Sequence, residues 1–228
     1  MIHAYVGVPG SGKSLHAMQT IKDYLTIYGK PVIANFPVAV KNLKKQKSGF
    51  RYTRSVDLNP KKLEKIAEIY YSKHEFSEDG ILLVIDEAQL LFNSRTWNEK
   101  SRQDWVYFFT NSRHFGYKII LCCQFLEMLD KQIRGCIETV YEHRNFARYG
   151  VVGWIMAHLV GGKLFIVIER YQGMKENIGT TWVFGRRSLY KLYDSYATKL
   201  FEVKEEVCEK GHESGGSSFI PNQCKMSG

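Results

Sequence analysis

The sequence lacks the cysteine patterns of secreted and zinc-binding proteins. Its five cysteines are an odd number, and two of them, Cys122 and Cys123, are adjacent within an apolar run. Such residues are typical of buried thiols in a reducing compartment. The tail contains Cys208, His212 and Cys224, but without the closely spaced ligand pairs of a zinc site. We therefore expect neither a disulfide framework nor a structural metal.

Acidic residues are also in the minority. The chain has 228 residues, with 32 Lys and Arg against 23 Asp and Glu, which gives a formal net charge of +9. This charge favours a polyanionic partner or an anionic membrane face, although solubility alone also explains it. The length and the 44% of hydrophobic residues suit one α/β domain with an elaboration. No signal peptide is expected, because the first apolar run, Ile2 to Val6, belongs to the first strand.

A phosphate-binding loop follows Val6 directly. The consensus G-x-x-x-x-G-K-[ST] is matched at every fixed position by Gly7, Val8, Pro9, Gly10, Ser11, Gly12, Lys13 and Ser14. A strand ends before the loop and a helix begins within it, so backbone N–H groups and the helix dipole face the anion. A chance glycine-rich turn is a poor alternative for four fixed residues. We predict that the loop and Leu15 bind ATP, with Lys13 at the β and γ phosphates and Ser14 on Mg²⁺.

Strands and helices alternate over the first 140 residues. Predicted strands cover Ile2 to Val6, Pro31 to Phe36, Ile81 to Ile85 and Lys118 to Cys123, and predicted helices cover Leu15 to Tyr28, Pro60 to Lys73 and Asn98 to Asn111. This alternation predicts an α/β fold with a doubly wound, mostly parallel sheet and the ligand at the carboxyl ends of the strands.

The pattern changes beyond Gly135. Residues 139–170 are expected to form a β-rich extension that includes a hairpin, with Val151 to Val160 and Leu164 to Ile168 as its arms around Gly161-Gly162-Lys163. A transmembrane helix is the alternative, but the stretch is short and contains polar residues. We expect residues 1–200 to form the phosphate-loop domain and residues 201–228 to form a tail with a disordered end.

Two acidic residues end the most apolar strand. Asp86, after Ile81 to Ile85, is placed to hold Mg²⁺ through water, and Glu87 is placed to polarise an attacking water molecule. The alternative is an acidic N-cap of the next helix. Gln124 ends another buried strand and is expected to contact the γ-phosphate or the water, unless it is a solvent-facing loop residue. We predict Lys13, Asp86, Glu87 and Gln124 as the catalytic group.

Arginines are candidates for action on the γ-phosphate of a neighbouring subunit. The candidates are Arg95, Arg113 and Arg134, and surface ion pairing is the alternative for each. Arg113 precedes its strand, so it is expected on the amino side of the sheet, away from its own nucleotide.

A basic stretch is a candidate nucleic-acid contact. Its lysines are Lys41, Lys44, Lys45 and Lys47, and aromatic residues follow at Phe50 and Tyr52. Such a stretch binds phosphate backbones while rings stack on bases, and a solvated loop explains it equally well.

Taken together, these residues resemble the zonula occludens toxin-like family, the filamentous-phage gene I assembly proteins. The resemblance covers about residues 1 to 200. It rests on the phosphate loop, the short strand ending in Asn35, Ile81 to Gln89, Ser112-Arg113-His114 with Gly116, the strand ending in Gln124, Leu129-Asp130 with Arg134, and Ser188 to Tyr196.

The resemblance implies a fold similar to FtsK-like and HerA-like motors, with an additional strand between the loop strand and the Asp-Glu strand. It also implies ATP-driven assembly and extrusion of a virion through the host inner membrane. The expected partners are further copies of the chain, coat protein, other assembly proteins and single-stranded DNA, at the cytoplasmic face of that membrane. Family members commonly carry a transmembrane segment and an outer domain after this domain, and this sequence shows neither clearly.

Other functions stay open at this point. A DNA-translocating ATPase of the FtsK/HerA type, or a non-hydrolysing adaptor, is compatible with the same loop. A phosphate-loop kinase is less favoured, because the sequence has no arginine-rich lid for a second phosphorylated substrate.

Overall fold

A computed structural model describes residues 1–93, 99–151, 153, 155, 163–174 and 176–193. Eight strands in these residues form one sheet: β1 Ile2–Val6, β2 Val32–Ala34, β3 Phe50–Tyr52, β4 Ile81–Ile85, β5 Tyr117–Cys123, β6 Thr139–Asn145, β7 Leu164–Tyr171 and β8 Gly179–Phe184. The helices are α1 Lys13–Asp23, α2 Pro60–Tyr71, α3 Ala88–Leu91, α4 Glu99–Thr110, α5 Lys131–Cys136 and a short helix at Arg187–Tyr190.

The strand order is β3-β2-β4-β5-β1-β6-β7-β8. Strands β1 to β6 pair in parallel, whereas β7 is antiparallel to both β6 and β8. The parallel strands therefore end at one edge of the sheet, which gathers the residues that follow β1, β4, β5 and β6. The predicted doubly wound, mostly parallel fold is confirmed. So is the additional strand, since β5 lies between β1 and β4.

Helices cover both faces of the sheet. On one face, α1 packs through Leu15 and Met18 against residues such as Leu82 of β4. On the other face, α2 and α4 pack against residues such as Leu83. All five residues of β4 are buried because both faces are covered, and this explains its unbroken apolar run.

Local sequence signals explain where two helices begin or end. Asn59 caps α2 by accepting a hydrogen bond from the Lys61 N–H at 2.9 Å, and Pro60 occupies the first helical position, where a missing N–H costs nothing. α1 continues into a π-helical turn, Tyr24–Tyr28, which Gly29 ends at a φ of 66°. The helix predicted from Leu15 to Tyr28 is therefore confirmed.

The first arm of the hairpin predicted around Gly161-Gly162 is not a strand where the structure describes it. Residues 151, 153 and 155 are helical, and Gly161 and Gly162 lie outside the described residues. The second predicted arm is a strand, β7, but it pairs with β6 and with a strand that the sequence analysis missed, β8. In short apolar runs, hydrophobic periodicity does not distinguish a strand from a helix. Residues 164–171 form a strand because they pair with β6.

Three further expectations concern a membrane-spanning helix, the tail and Arg95. In the part of the chain that the structure describes, no helix combines the length and the apolar character needed to cross a membrane. The tail expected at residues 201–228 lies outside the described residues, as does Arg95.

Candidate nucleotide and catalytic site

The phosphate loop joins β1 to α1 at the carboxyl edge of the sheet. The Gly7 N–H donates to the Gln124 carbonyl oxygen at 3.2 Å, which ties the start of the loop to the end of β5. A Cβ at Gly7 would lie 2.5 Å from the His143 carbonyl oxygen, and a Cβ at Gly12, whose φ is 98°, would lie 2.6 Å from the Phe165 ring. Both glycines are therefore required by the approach of β6 and β7 to the loop.

Lys13 and Ser11 lie inside the loop. Lys13 Nζ donates to the carbonyl oxygens of Gly7 at 2.6 Å and Val8 at 3.4 Å, and the side chain is buried. Ser11 Oγ is buried without a hydrogen-bond partner among the described residues. The first turn of α1 contains no acidic residue that would neutralise its positive end. An ammonium group, an unpaired hydroxyl and a free helix terminus together fit an anionic phosphate chain.

Ser14 and Asp86 form the oxygen pair of the site. Asp86 Oδ2 accepts hydrogen bonds from Ser14 Oγ at 3.1 Å and from the Tyr193 hydroxyl at 3.2 Å, while Oδ1 accepts one from the Glu87 N–H at 3.0 Å. Burial raises the pKa of the Asp86 carboxyl, and the Glu87, Ser14 and Tyr193 hydrogen bonds oppose that rise. A hydroxyl and a carboxylate in contact are the ligands that Mg²⁺ prefers, so this pair fits the metal.

Asn35 fixes the backbone at Asp86. Its Nδ2 donates to the Asp86 carbonyl oxygen at 2.9 Å, and its Oδ1 accepts from the Asp86 N–H at 2.7 Å. The same Nδ2 donates to Ser55 Oγ at 3.0 Å. The sequence analysis gave Asn35 no role. The feature that could have indicated a role is its position, because Asn35 is a polar residue directly after a buried strand, β2, that neighbours β4.

Glu87 has a strained backbone. Its φ of 49° and ψ of 44° lie in the left-handed region, which costs a non-glycine residue about 1–2 kcal/mol. Glu87 is exposed at the start of α3, and its carboxylate accepts a hydrogen bond from the buried Gln89. Strain of this kind is concentrated at functional sites, where the surrounding structure holds it in place.

Gln124 lies beside the phosphate loop. It directly follows β5, the additional strand, which pairs with β1. It is half-buried, and it lines a cavity of about 400 Å³ together with Gly7, Val8 and Phe125 and with residues 142–145 at the end of β6. Its position at the carboxyl end of β5, next to β1, follows from the parallel pairing of Val6 with Cys123.

A histidine pair beside the loop, His143 buried and His16 half-buried, was not predicted from the sequence. His16 Nδ1 and His143 Nε2 are 2.9 Å apart, and His143 Nδ1 is 2.9 Å from the Tyr141 carbonyl oxygen. His143 therefore donates from Nδ1 and accepts the His16 proton at Nε2. Burial lowers the pKa of both imidazoles, to about 4 for His16 and about 3 for His143, and the nearby His16 adds to the lowering at His143.

Arg113 and the basic stretch lie away from Lys13, Ser14 and Asp86. Arg113 forms an ion pair with Glu138 at 2.6 Å at the amino edge of the sheet, where Glu138 also accepts from the Ile2 N–H. Arg134 lies in α5, half-buried. The lysines of the basic stretch are all exposed: Lys41, Lys44, Lys45 and Lys47. The Lys47 N–H donates to the Leu25 carbonyl oxygen, beyond the carboxyl end of α1, whereas the phosphate loop lies at its amino end.

Comparison with known proteins identifies the family and the fold. The family model for zonular occludens toxin (Zot) matches residues 1–199. The chain is 28% identical over 231 residues to the Gene 1 protein of Enterobacteria phage f1, and the match covers 96% of this chain and 63% of that protein. The chain thus spans less than two thirds of the length of this relative.

Two solved structures share the fold at low sequence identity. One is an ATPase domain that is 9% identical, with a TM-score of 0.55 and coverage of 85% of this chain and 84% of that one. The other is B204, the DNA-packaging ATPase from Sulfolobus Turreted Icosahedral Virus, which is 15% identical, with a TM-score of 0.50 and coverage of 77% and 98%. Both likenesses concern the fold of the sheet and its helices. Because the family model covers most of its length, the chain belongs to the zonular occludens toxin (Zot) family.

Proposed function

We propose that the chain is an ATP-hydrolysing motor that assembles and extrudes a filamentous phage virion at the host inner membrane. The observation that carries the proposal is the grouping of Lys13, Ser14, Asp86 and Glu87 at the carboxyl edge of the sheet, within this family. The residues arrive from β1 and β4 and from the first turn of α1. Strands β1 and β4 are separated by β5, so the Ser14 to Asp86 contact spans the end of β5.

Each residue has a distinct task. Residues Gly7 to Leu15 surround the phosphates with backbone N–H groups, and Lys13 exchanges its loop carbonyls for phosphate oxygens. Ser14 and Asp86 would hold Mg²⁺, which when bound neutralises phosphate charge. Glu87 orients and polarises the attacking water, and Gln124 contacts the γ-phosphate.

The assembly around this site is also proposed. The chain works as an oligomer at the cytoplasmic face of the inner membrane, with coat protein, other assembly proteins and single-stranded DNA as partners. The candidates for action across a subunit interface are Arg95, Arg113 and Arg134, of which Arg113 is the least favoured because it is already paired with Glu138 at the far edge of the sheet. The phosphate-loop domain ends near residue 200, and a tail follows.

The test is phosphate release by the purified chain and two variants. Lys13→Ala should lose nucleotide binding. Glu87→Gln should bind ATP but turn it over about 100-fold or more slowly, the usual effect of removing a catalytic base. Glu68→Gln, an exposed glutamate of α2, is the matched control and should keep the wild-type rate. Full turnover by Glu87→Gln would remove Glu87 from the mechanism.

The physiological task is tested by what stimulates turnover. Vesicles that contain phage coat protein should raise the rate. Stimulation by DNA alone, weakening steeply with salt, would instead indicate a DNA translocase that uses the exposed lysines between β2 and β3. Phosphate transfer to an acceptor molecule rather than to water would indicate a kinase.

A further inference from the structure

The segment Arg187–Tyr193 is anchored on the α1 face of the sheet. Leu189 and Leu192 are buried in the same cluster as residues of α1 and β4. The Leu192 carbonyl oxygen accepts a hydrogen bond from the Ala39 N–H at 3.0 Å, and the Lys191 carbonyl oxygen accepts one from Asn42 at 3.1 Å. These contacts hold the end of the segment at a defined position beside β2 and α1.

Tyr193, the last residue of this segment, reaches the catalytic carboxylate. Its ring packs edge-to-face on Phe36, with centroids 5.4 Å apart, and its hydroxyl donates to Asp86 Oδ2 at 3.2 Å. Burial raises the pKa of the Tyr193 phenol, so the hydroxyl remains protonated and able to donate.

Both acceptor positions of Asp86 Oδ2 are therefore occupied. A carboxylate oxygen has two lone pairs, and here Ser14 uses one and Tyr193 uses the other. Any further ligand or donor that approaches Oδ2 has to replace one of these two hydroxyls. Ser14 belongs to the phosphate loop and to the oxygen pair itself, whereas Tyr193 belongs to a separate segment. Tyr193 is the hydroxyl that can leave without dismantling the site.

We propose that Tyr193 is a positioning residue that competes with Mg²⁺ for Asp86, so that loading of the magnesium nucleotide releases the Arg187–Tyr193 segment. This inference rests on the magnesium site proposed above.

The first test is a magnesium titration of ADP binding. Tyr193→Phe keeps the ring on Phe36 and removes only the hydroxyl, so the half-saturating Mg²⁺ concentration should fall about three- to tenfold, the equivalent of one ordinary hydrogen bond. ADP binding in EDTA should be unchanged. Tyr190→Phe is the matched control from the same segment, because the Tyr190 ring contacts Lys163 rather than Asp86.

The second test reads the segment without any turnover. The Ala39 amide is protected by the Leu192 carbonyl oxygen, so hydrogen exchange in a peptide that covers Ala39 should accelerate with magnesium ADP and not with ADP in EDTA. In Tyr193→Phe the exchange should already be faster without nucleotide. Unchanged or slower exchange with magnesium ADP, or an unchanged or higher magnesium requirement in Tyr193→Phe, would overturn the inference.

Two variants separate this inference from the proposal on which it rests. Ser14→Ala and Asp86→Asn should both lose the magnesium dependence of ADP binding. If they keep it, the magnesium site is misplaced and the competition falls with it. If they lose it while Tyr193→Phe titrates like the wild type, the site stands and only the role of Tyr193 is wrong.

Discussion

Asn35 and Asp86 bind each other through two hydrogen bonds that run in opposite directions. The Asn35 amide nitrogen donates to the Asp86 carbonyl oxygen at 2.9 Å, and its amide oxygen accepts from the Asp86 N–H at 2.7 Å. A side chain at the end of β2 thus completes the hydrogen bonding of the backbone where β4 ends. The orientation of the carboxylate depends on this contact, because the same peptide units carry the Asp86 side chain.

Replacement of Asn35 should affect both stability and turnover. Asn35→Ala leaves the Asp86 N–H and carbonyl oxygen without their partner, so the free energy of unfolding should fall by about 1–3 kcal/mol. Urea unfolding measures this loss, and phosphate release should fall with it. Asn111→Ala, which removes a hydrogen bond to Tyr107 at the end of α4, is the control and should have the smaller effect on turnover. Equal turnover in both variants would contradict the positioning role.

Glu87→Gly should be more stable than Glu87→Ala, and both variants should lose activity. Because Glu87 has a φ of 49°, glycine relieves strain that alanine retains. Glu87→Gly should therefore unfold with a free energy about 1 kcal/mol higher than Glu87→Ala. Chemical denaturation of the two variants gives the difference, and neither should release phosphate at the wild-type rate. A less stable glycine variant would show that the strain is absent in solution.

Gly12→Ala should destabilise the phosphate loop, because the added methyl group would clash with a residue of β7. The new Cβ would meet the Phe165 ring at 2.6 Å at a φ of 98°, so Gly12→Ala should cost more than about 2 kcal/mol of unfolding free energy. Phe165→Leu in the same chain should return part of that loss. Gly135→Ala, where the Cβ meets nothing within 4 Å inside α5, should instead be neutral or stabilising by up to about 1 kcal/mol.

The His16–His143 pair should make stability fall with acidification. Burial lowers the pKa of both rings below the unfolded value of about 6.5, so below that pH the unfolded chain binds more protons than the folded chain. Each ring then removes up to about 1.4 kcal/mol of unfolding free energy per pH unit. Lys118 facing His16, and Lys13 facing His143, act in the same direction.

The measurement is urea unfolding between pH 7 and pH 5. His143→Gln should flatten the dependence, and His74→Gln should keep the wild-type slope because His74 is exposed to solvent. A wild-type slope in His143→Gln would contradict the prediction, because it would mean that His143 does not bind fewer protons in the folded chain than in the unfolded chain over this range.

Consecutive residues carried enough information to predict most of the fold. The phosphate loop, the capped helix at Pro60 and the apolar β4 each follow from neighbouring residues, because backbone freedom, capping and burial are local preferences. Sequence patterns predict the structure least well after β6: the run from Val151 is predicted as a strand but is helical at residues 151, 153 and 155, and no pattern predicts β8. Short apolar runs adopt the structure that their neighbours in space require.

The sequence by itself determined where the phosphate-loop motif lies, and that acidic residues follow a buried strand. Only the tertiary structure decided which side chains meet at Asp86. Ser14, Asn35 and Tyr193 contact it from 72, 51 and 107 positions away. Such contacts depend on the order in which strands pair and on where the Arg187–Tyr193 segment packs. Neither is set by local preference, because a strand's own residues do not specify which neighbour it pairs with.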